Sequence, residues 1–446
     1  MTVYKAHTFP QLAGPAAWNV ILGDPPSYPK LEGAYKADLV IVGGGFAGLS
    51  AARRYLQLNP NAKVIVLEAQ GIADGSSGRN SGFMIDLPHD LSSDDYAGSG
   101  DDRAIIDLNR AAIKFGGESV AEYGIDPNYF DPVGKINGAA SEAALSHNKS
   151  YAQHLTSLGE KSELLDQQQM RAITGSNHYL GGLFCPGTVM LQPAGYIRGL
   201  ARGLSSQGIK IFEHSAVHLF EKIGSSWNVE THGGRVSTSQ VILTVNGHLE
   251  SFGFSKNRLM QVFLYAVMTP QLTPDQIVKL GGRGRWGVTP SDPMGTTVRR
   301  IDNSQGGNRI VTRTCATLKP NMKITAGHLA RAKRVMQKKF DQRFPQLCGM
   351  QMEYAWAGHL CLTQNGVSVA QKLDDGLFSG CVQNGLGTTR GTLTGIAAAE
   401  LASGVKSQIS SFFEHEAEPK LLPPQPFREV GANLILNYKE WRAKAD

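Results

Sequence analysis

Three glycines and one carboxylate carry the clearest chemistry in this 446-residue sequence: Gly43, Gly45, Gly48 and, twenty positions after the last of them, Glu68. In the order Gly-x-Gly-x-x-Gly, the first glycine permits a tight turn and the second lets the main chain approach a pyrophosphate. The third lets a helix pack closely on a strand. Main-chain N–H groups at the start of that helix attract phosphate. A carboxylate at Glu68 can accept hydrogen bonds from ribose hydroxyls and would repel a 2′-phosphate. An adenine dinucleotide lacking that phosphate is the expected ligand, and the motif alone does not separate NAD from FAD.

A second cluster follows at Gly75-Ser76-Ser77-Gly78-Arg79-Asn80-Ser81-Gly82. Its small residues suit a backbone threading past a flat ligand. Its hydroxyls, amide and guanidinium can meet pyrophosphate oxygens or a ring edge. A third set is more dispersed: Tyr265, Trp286, Arg299, Arg300 and Arg313. An arginine there could clamp a substrate carboxylate through two parallel hydrogen bonds. Arg299 and Arg300 are neighbours on an expected strand and must face opposite sides, so at most one serves. His214 and His218, four apart on an expected strand, share a face but lack cysteine or acidic partners, and no metal is expected. Asp94-Asp95 and Asp101-Asp102 read as loop and helix-start acids rather than a catalytic dyad. No GxSxG nucleophile elbow and no phosphate-binding P-loop occur.

The elements that must position these groups are legible in part. Asp38–Val42 and Lys63–Leu67 are short apolar runs of the buried parallel type, with small and apolar residues at helical spacing over Phe46–Leu58 between them. Two helices are expected at 101–122 and 141–158. Gln192-Pro193 opens another, with Gly208 placed to end it. Strands are expected at Ile209–Val217 and Val241–Val245, and a hairpin turns at Gly233-Gly234. Val262–Thr269, Thr296–Ile301 and Arg309–Ala316 read as an antiparallel sheet, with Trp286 in a glycine-rich turn. A helix over 326–343 follows, then strands at Tyr354–Trp356 and Leu377–Val382 and a helix over Ile396–Ala402. The fold class is α/β. A Rossmann-type dinucleotide domain (36–90, 185–250 and 350–405) is interrupted by a second, mainly antiparallel-β domain of α+β type (91–184 and 251–349). An irregular segment (1–35) precedes them and a tail (406–446) follows.

Composition supports a globular enzyme: 51 glycines and 18% charged residues argue against a disordered or fibrous chain. The net charge of +6 is mild, and the densest basic run, Arg331–Lys339, lies on an amphipathic helix whose charged face is solvated. No nucleic-acid partner is expected. Five cysteines, an odd number without CxxC, fit a reducing compartment. Neither a signal peptide nor a membrane-spanning run is visible, so a cytoplasmic protein with no membrane partner is expected.

The ordered motifs resemble the D-amino-acid-oxidase/glycine-oxidase superfamily of flavoproteins, and within it the γ-glutamylputrescine oxidase type. The resemblance rests on Tyr28-Pro29-x-Leu31-x-Gly33, Gly43–Gly48, Glu68, and Ser77-Gly78-Arg79-Asn80-Ser81-Gly82. It continues through Gln192-Pro193-Ala194, Ser215-Ala216-Val217, Val241–Gly247 and Trp356-Ala357-Gly358, and ends with Thr363-x-Asn365-Gly366 and Gly385-x-Gly387-Thr388. It implies FAD bound in an extended conformation. Gly43, Gly45, Phe46, Ala47 and Gly48 would lie at the pyrophosphate, and Glu68, Ala69 and Gln70 at the adenosine ribose. Ser76, Ser77, Arg79, Asn80, Ser81 and Gly82 would face pyrophosphate, ribityl chain and ring, with Phe83 and Met84 beside the isoalloxazine. Val217 would meet adenine through its backbone, and Gly385, Leu386, Gly387 and Thr388 the pyrimidine end. Leu386 stands where many members have His, and Asn365 where they often have Asp. Some relatives tether FAD through cysteine, but that position falls here on Leu360. Cys361, one residue along, would point the other way, so non-covalent FAD is expected.

The resemblance further implies hydride transfer from an amine-bearing carbon to flavin N5, hydrolysis of the imine, and re-oxidation by O2 or another acceptor. The substrate is expected to be a small amine, N-substituted amino acid or γ-glutamyl-amide. Tyr265, Trp286 and Arg300 are the candidate catalytic residues. An amine dehydrogenase using a different acceptor, an NAD-dependent dehydrogenase and a non-catalytic flavin-stabilised assembly protein are the alternatives.

Overall fold

A computed structural model describes residues 2–88, 100–292 and 294–443; Asp94 and Asp95 lie outside them. Five strands run side by side and parallel: Lys210–Phe212, Val64–Leu67, Gly33–Val42, Gly234–Leu243 and Leu377–Cys381. Their centres are unbroken apolar runs, as strands covered on both faces require. Leu39–Val42 and Val64–Leu67 are all buried. Helices Phe46–Leu58 and Thr389–Ala402 pack on this sheet, and their contact is so close that a Cβ on Gly395 would lie 2.1 Å from the Ala47 carbonyl oxygen. On its other edge the first half of Gly234–Leu243 also pairs antiparallel with Ser226–Thr231, which pairs with Val217–Ile223.

A second sheet of eight strands runs in the order Tyr354–Leu362, Met260–Met268, Arg309–Leu318, Thr297–Ile301, Trp286–Pro290, Lys135–Ala139, Gly181–Cys185 and Glu163–Asp166. It is antiparallel throughout except where Trp286–Pro290 meets Lys135–Ala139. Helix Ala326–Arg343 lies on one face, where Ala332, Met336 and Phe340 pack against Phe263, Tyr265, Val267, Trp286 and Val298. The other face contributes Ala266, Met268, Ile301, Val311 and Trp356 to the core built around the dinucleotide helices.

Several elements depart from the sequence reading. The expected strand Ile209–Val217 is two strands, broken where His214 turns with φ 49. His214 and His218 therefore share no strand face, and His218 stacks on His232 at 4.8 Å instead. Trp286 begins a strand rather than sitting in a turn. Tyr354–Leu362 joins the antiparallel sheet beside Met260–Met268. The last dinucleotide helix begins at Thr389, seven residues before the expected start, with Thr388 and Thr389 hydrogen-bonded to the Phe83 and Ile85 carbonyls. The irregular first segment carries helix Ala17–Val20, which buries Trp18, and the tail carries helices Gln408–Glu414 and Phe427–Arg442.

Candidate FAD site

The glycine loop connects strand Gly33–Val42 to helix Phe46–Leu58. Gly43 has φ 110, a region that favours glycine. A Cβ on Gly48 would lie 1.8 Å from the Gly43 carbonyl oxygen, so the helix start rests directly on the turn. A Cβ on Gly45 would find nothing nearer than Ser77 Cβ at 3.7 Å. The second glycine thus faces open space beside the helix N-terminus, as a pyrophosphate cradle requires. Thr244 supports the loop from below, its hydroxyl donating to the Val42 and Gly43 carbonyls at 2.9 and 3.1 Å.

Glu68 closes the far end. Its carboxylate accepts the Gly44 N–H at 2.8 Å and the Gln70 N–H at 2.9 Å. Desolvation pushes its pKa up, against the pull of those N–H donors. Ala69 is exposed beside it and Gln70 half-buried. Glu213, which sequence reasoning missed, accepts the N–H groups of Tyr28 and Ile72 at 3.0 and 2.5 Å and so ties the incoming Tyr28-Pro29 segment to this end. Its acidic side chain one residue past strand Lys210–Phe212 was the available signal. Val217 is buried at the start of its strand.

The loop from Ser76 to Gly82 holds itself in shape. Asn80 donates to the Ser76 and Ser77 carbonyls at 3.2 and 2.6 Å and accepts the Gly82 N–H at 2.8 Å. The Arg79 guanidinium donates to four carbonyls, of Asp74, Ala13, Gly14 and Ala357, and burial lowers its pKa to about 10. These bonds commit Nε and Nη1 of Arg79 to the chain. Ser76 is exposed, with its hydroxyl on the His359 carbonyl, and Ser77 is buried beneath Gly45. From the antiparallel sheet, Arg299 donates to the carbonyls of Ser81, Gly82 and Leu191 at 3.2, 3.1 and 2.5 Å. Its guanidinium lies over the rings of Trp18 and Phe83, and burial brings its pKa down to about 9.

The C-terminal glycine motif lies against Phe83–Ile85. Thr388 and Thr389 donate to the Phe83 and Ile85 carbonyls at 2.6 and 3.1 Å, and Leu386 packs on Phe83, Ile85 and Met190. Gly385 and Gly387 are exposed, and a Cβ on Gly387 would meet nothing within 4 Å. Met84 is buried behind this motif. Asn365 turns away, joined to Glu418 and Lys420 main-chain groups. Gly43, Gly45, Glu68, Ser76, Ser81, Gly385 and Gly387 therefore border open space, whereas Phe46, Ala47, Gly48 and Thr388 form its buried floor. These residues fit an extended dinucleotide. Two open glycine turns at helix starts supply N–H groups, and a carboxylate pre-set by main-chain donors stands at the ribose end.

The three expected catalytic side chains need correction. Tyr265 and Trp286 point into the cluster under helix Ala326–Arg343, and the Tyr265 hydroxyl is bonded to Thr317 at 3.0 Å. Arg300 pairs across the strand with Trp286 and donates to the Gly281 carbonyl. The opposite face is turned to the flavin loop: a Cβ on Gly287 would strike Phe83, and Trp356 Nε1 donates to the Arg79 carbonyl at 3.0 Å. On that face the half-buried Arg313 reaches Ser81 Oγ at 3.4 Å. Leu264, Ala316 and Leu360 lie beyond it. Cys361 is buried on the other side of its strand. All five cysteines are free. Among the described residues, no group of three or more His, Cys, Asp or Glu is placed to hold a metal. No described helix is long and apolar enough to cross a membrane.

Comparison with known proteins agrees with this geometry. The family model for FAD dependent oxidoreductases, DAO, matches residues 38–401. The gamma-glutamylputrescine oxidoreductase of Escherichia coli K12 is 25% identical over 409 residues, covering 90% of each chain. The crystal structure of glycine oxidase from Geobacillus kaustophilus superposes with a TM-score of 0.68 at 18% identity, covering 84% of this chain and 96% of that one. L-alpha-glycerophosphate oxidase from Mycoplasma pneumoniae, solved with FAD bound, has a TM-score of 0.64 at 15% identity, covering 88% and 98%. With the match spanning both glycine motifs and every strand of the parallel sheet, the chain belongs to the DAO family of FAD-dependent oxidoreductases, and its cofactor is FAD.

Proposed function

We propose that the enzyme oxidises a C–N bond in a small amine, N-substituted amino acid or γ-glutamyl-amide. The observation that carries this reading is the face of the antiparallel sheet turned to the flavin loop. It places the Arg313 guanidinium beside Ser81 and follows it with the half-buried aliphatic side chains of Leu264 and Leu360. A cation next to an aliphatic surface suits a substrate with an anionic or amide head and a short carbon chain. The gamma-glutamylputrescine and glycine enzymes among the similar proteins support the same class.

Bound FAD supplies the two-electron acceptor. The chain's own residues orient the amine-bearing carbon and keep water from it. A hydride leaves that carbon, the nitrogen lone pair forms the imine, and water hydrolyses the imine to a carbonyl compound and the released amine or ammonia. O2 is the proposed re-oxidant, yielding H2O2. An anaerobic screen of amines, followed at about 450 nm, tests the proposal: bleaching by a member of this class is expected, and rapid recovery of colour in air identifies an oxidase. Slow recovery in air, with fast recovery on an artificial acceptor, would make it a dehydrogenase. No bleaching by any amine would overturn the reading.

A further inference from the structure

Helix Phe427–Arg442 lies beyond the residues matched by the family model and has two unlike faces. Its inner face is fully engaged. Ala432 and Leu436 pack on Val262, Ala316 and Leu318 of the antiparallel sheet. Asn433 accepts the Leu318 N–H at 2.9 Å and donates to the Leu318 carbonyl at 3.0 Å, covering the strand's free edge as another strand would. Both acids of the helix are used inward: Glu429 pairs with Lys319 at 2.8 Å and Glu440 with Arg331 at 3.0 Å.

The outer face is apolar. Phe427, Val430, Leu434, Ile435 and Tyr438 recur at helical spacing, and Phe427 and Leu434 are 73% and 65% exposed. At 100° per residue they fall within an arc of about 140°, with no acid in it. Exposed Lys439 lies just outside that arc, and exposed Arg442, 3.7 Å from Asp292, falls within it at the helix end. The neighbouring helix Ala326–Arg343, joined to this one through Lys339 and the Ala443 carbonyl, adds exposed Arg334 and Lys338.

We propose that this outer face docks on an anionic lipid surface. An apolar stripe containing aromatic rings, bordered by cations and cleared of acids, is the pattern of a helix lying in the plane of a membrane interface. The basic flank matches the charge of anionic headgroups. A second copy of the chain, pairing stripe against stripe, is the competing occupant of this face. The expectation of no membrane partner rested on the absence of a spanning run, and a helix lying on the surface needs none. This inference does not depend on the substrate reading.

Flotation of the FAD-loaded protein with vesicles tests it. Binding is expected to vesicles containing phosphatidylglycerol, weak or absent on phosphatidylcholine alone, and reversed by salt. Leu434→Glu with Tyr438→Glu should weaken binding on the order of a hundredfold, and Lys338→Glu with Lys439→Glu about tenfold or more. All of these side chains are exposed, so flavin absorbance and melting temperature should hold. Absence of flotation on anionic vesicles would overturn the proposal, as would flotation indifferent to the stripe variants. So would light scattering that shows a dimer split by Leu434→Glu, since a second copy would then cover the face.

Discussion

Gly45 and Gly48 belong to one motif, yet the structure gives them separable tasks, and alanine at each should fail in a different way. A methyl on Gly48 would stand 1.8 Å from the Gly43 carbonyl oxygen and 2.8 Å from Thr244 Oγ1. An unstrained contact needs about 3.5 Å, so helix and turn must part by roughly 1.5 Å. Overpacking of that kind costs about 3 kcal/mol, while alanine's better helix propensity returns at most about 1 kcal/mol. Gly48→Ala should therefore lose about 2 kcal/mol even without cofactor, which lowers the apoprotein melting temperature by about 2 °C. Gly45 has φ −92, which any residue tolerates, and a methyl there meets only Ser77 at 3.7 Å. Gly45→Ala should leave apoprotein stability within about 1 kcal/mol of the parent. The methyl occupies the pyrophosphate's place, however, and FAD affinity should fall on the order of a hundredfold, about 2.7 kcal/mol. Thermal melts of the apoproteins and FAD titration by tryptophan fluorescence separate the two. A Gly45 variant that binds FAD like the parent would refute the placement of the pyrophosphate. A Gly48 variant whose apoprotein melts like the parent would refute the close packing.

Tyr265→Phe removes one buried hydroxyl bond, to Thr317. It should cost about 1 kcal/mol of stability and leave kcat unchanged, as steady-state kinetics beside a denaturant titration would establish. Cys361→Ala should leave flavin stoichiometry unaltered, and acid precipitation should give colourless protein from parent and variant alike, because Cys361 faces away from the flavin loop. Burial lowers His248 and His359 from 6.5 to about 4. The unfolded chain then binds more protons between these values. Stability is full above about 6.5, falls as pH drops, and levels off near 4, by at most about 3 kcal/mol for each histidine. His359→Gln should flatten that slope in apoprotein melts recorded across the range.

The dinucleotide unit was legible because everything it needs is close in sequence. Strand, turn, helix and acid occupy residues 38–68, and the Phe46–Leu58 helix has the ends its apolar spacing indicates. The sheet bearing Tyr265, Trp286 and Arg300 could not be read to the same depth. Alternation shows that Arg299 and Arg300 face opposite ways, but which way is inward depends on where helix Ala326–Arg343 lands, a contact between segments far apart in the chain. Strand Arg309–Leu318 adds a register shift opposite Leu264 and Tyr265, with Cys315 at φ 65, so a simple count of two loses the face beyond it. Helix Phe427–Arg442 escaped notice for another reason. Apolar residues on both its packed and outward faces blur the single stripe by which an amphipathic helix is recognised.

The Ser76–Gly82 loop shows why a motif can identify a cofactor while misassigning its contacts. Arg79 and Asn80 look like ligand-binding groups, yet their hydrogen bonds run to the chain itself, and Arg299 clamps the Ser81 and Gly82 carbonyls from the sheet side. Each bond consumes a carbonyl that would otherwise be buried without a donor, which costs about 1–3 kcal/mol per group. With those carbonyls satisfied, the loop can hold one shape close to a ligand, and the exposed side chain of Ser76 is left on its open side. The residue types are therefore demanded by the loop's own shape before any ligand arrives, and that shape is what FAD meets. The same logic applies to Arg299. Its value lies in three carbonyls held within a buried site, so replacing it with an uncharged side chain should loosen the flavin loop first and affect turnover only through it.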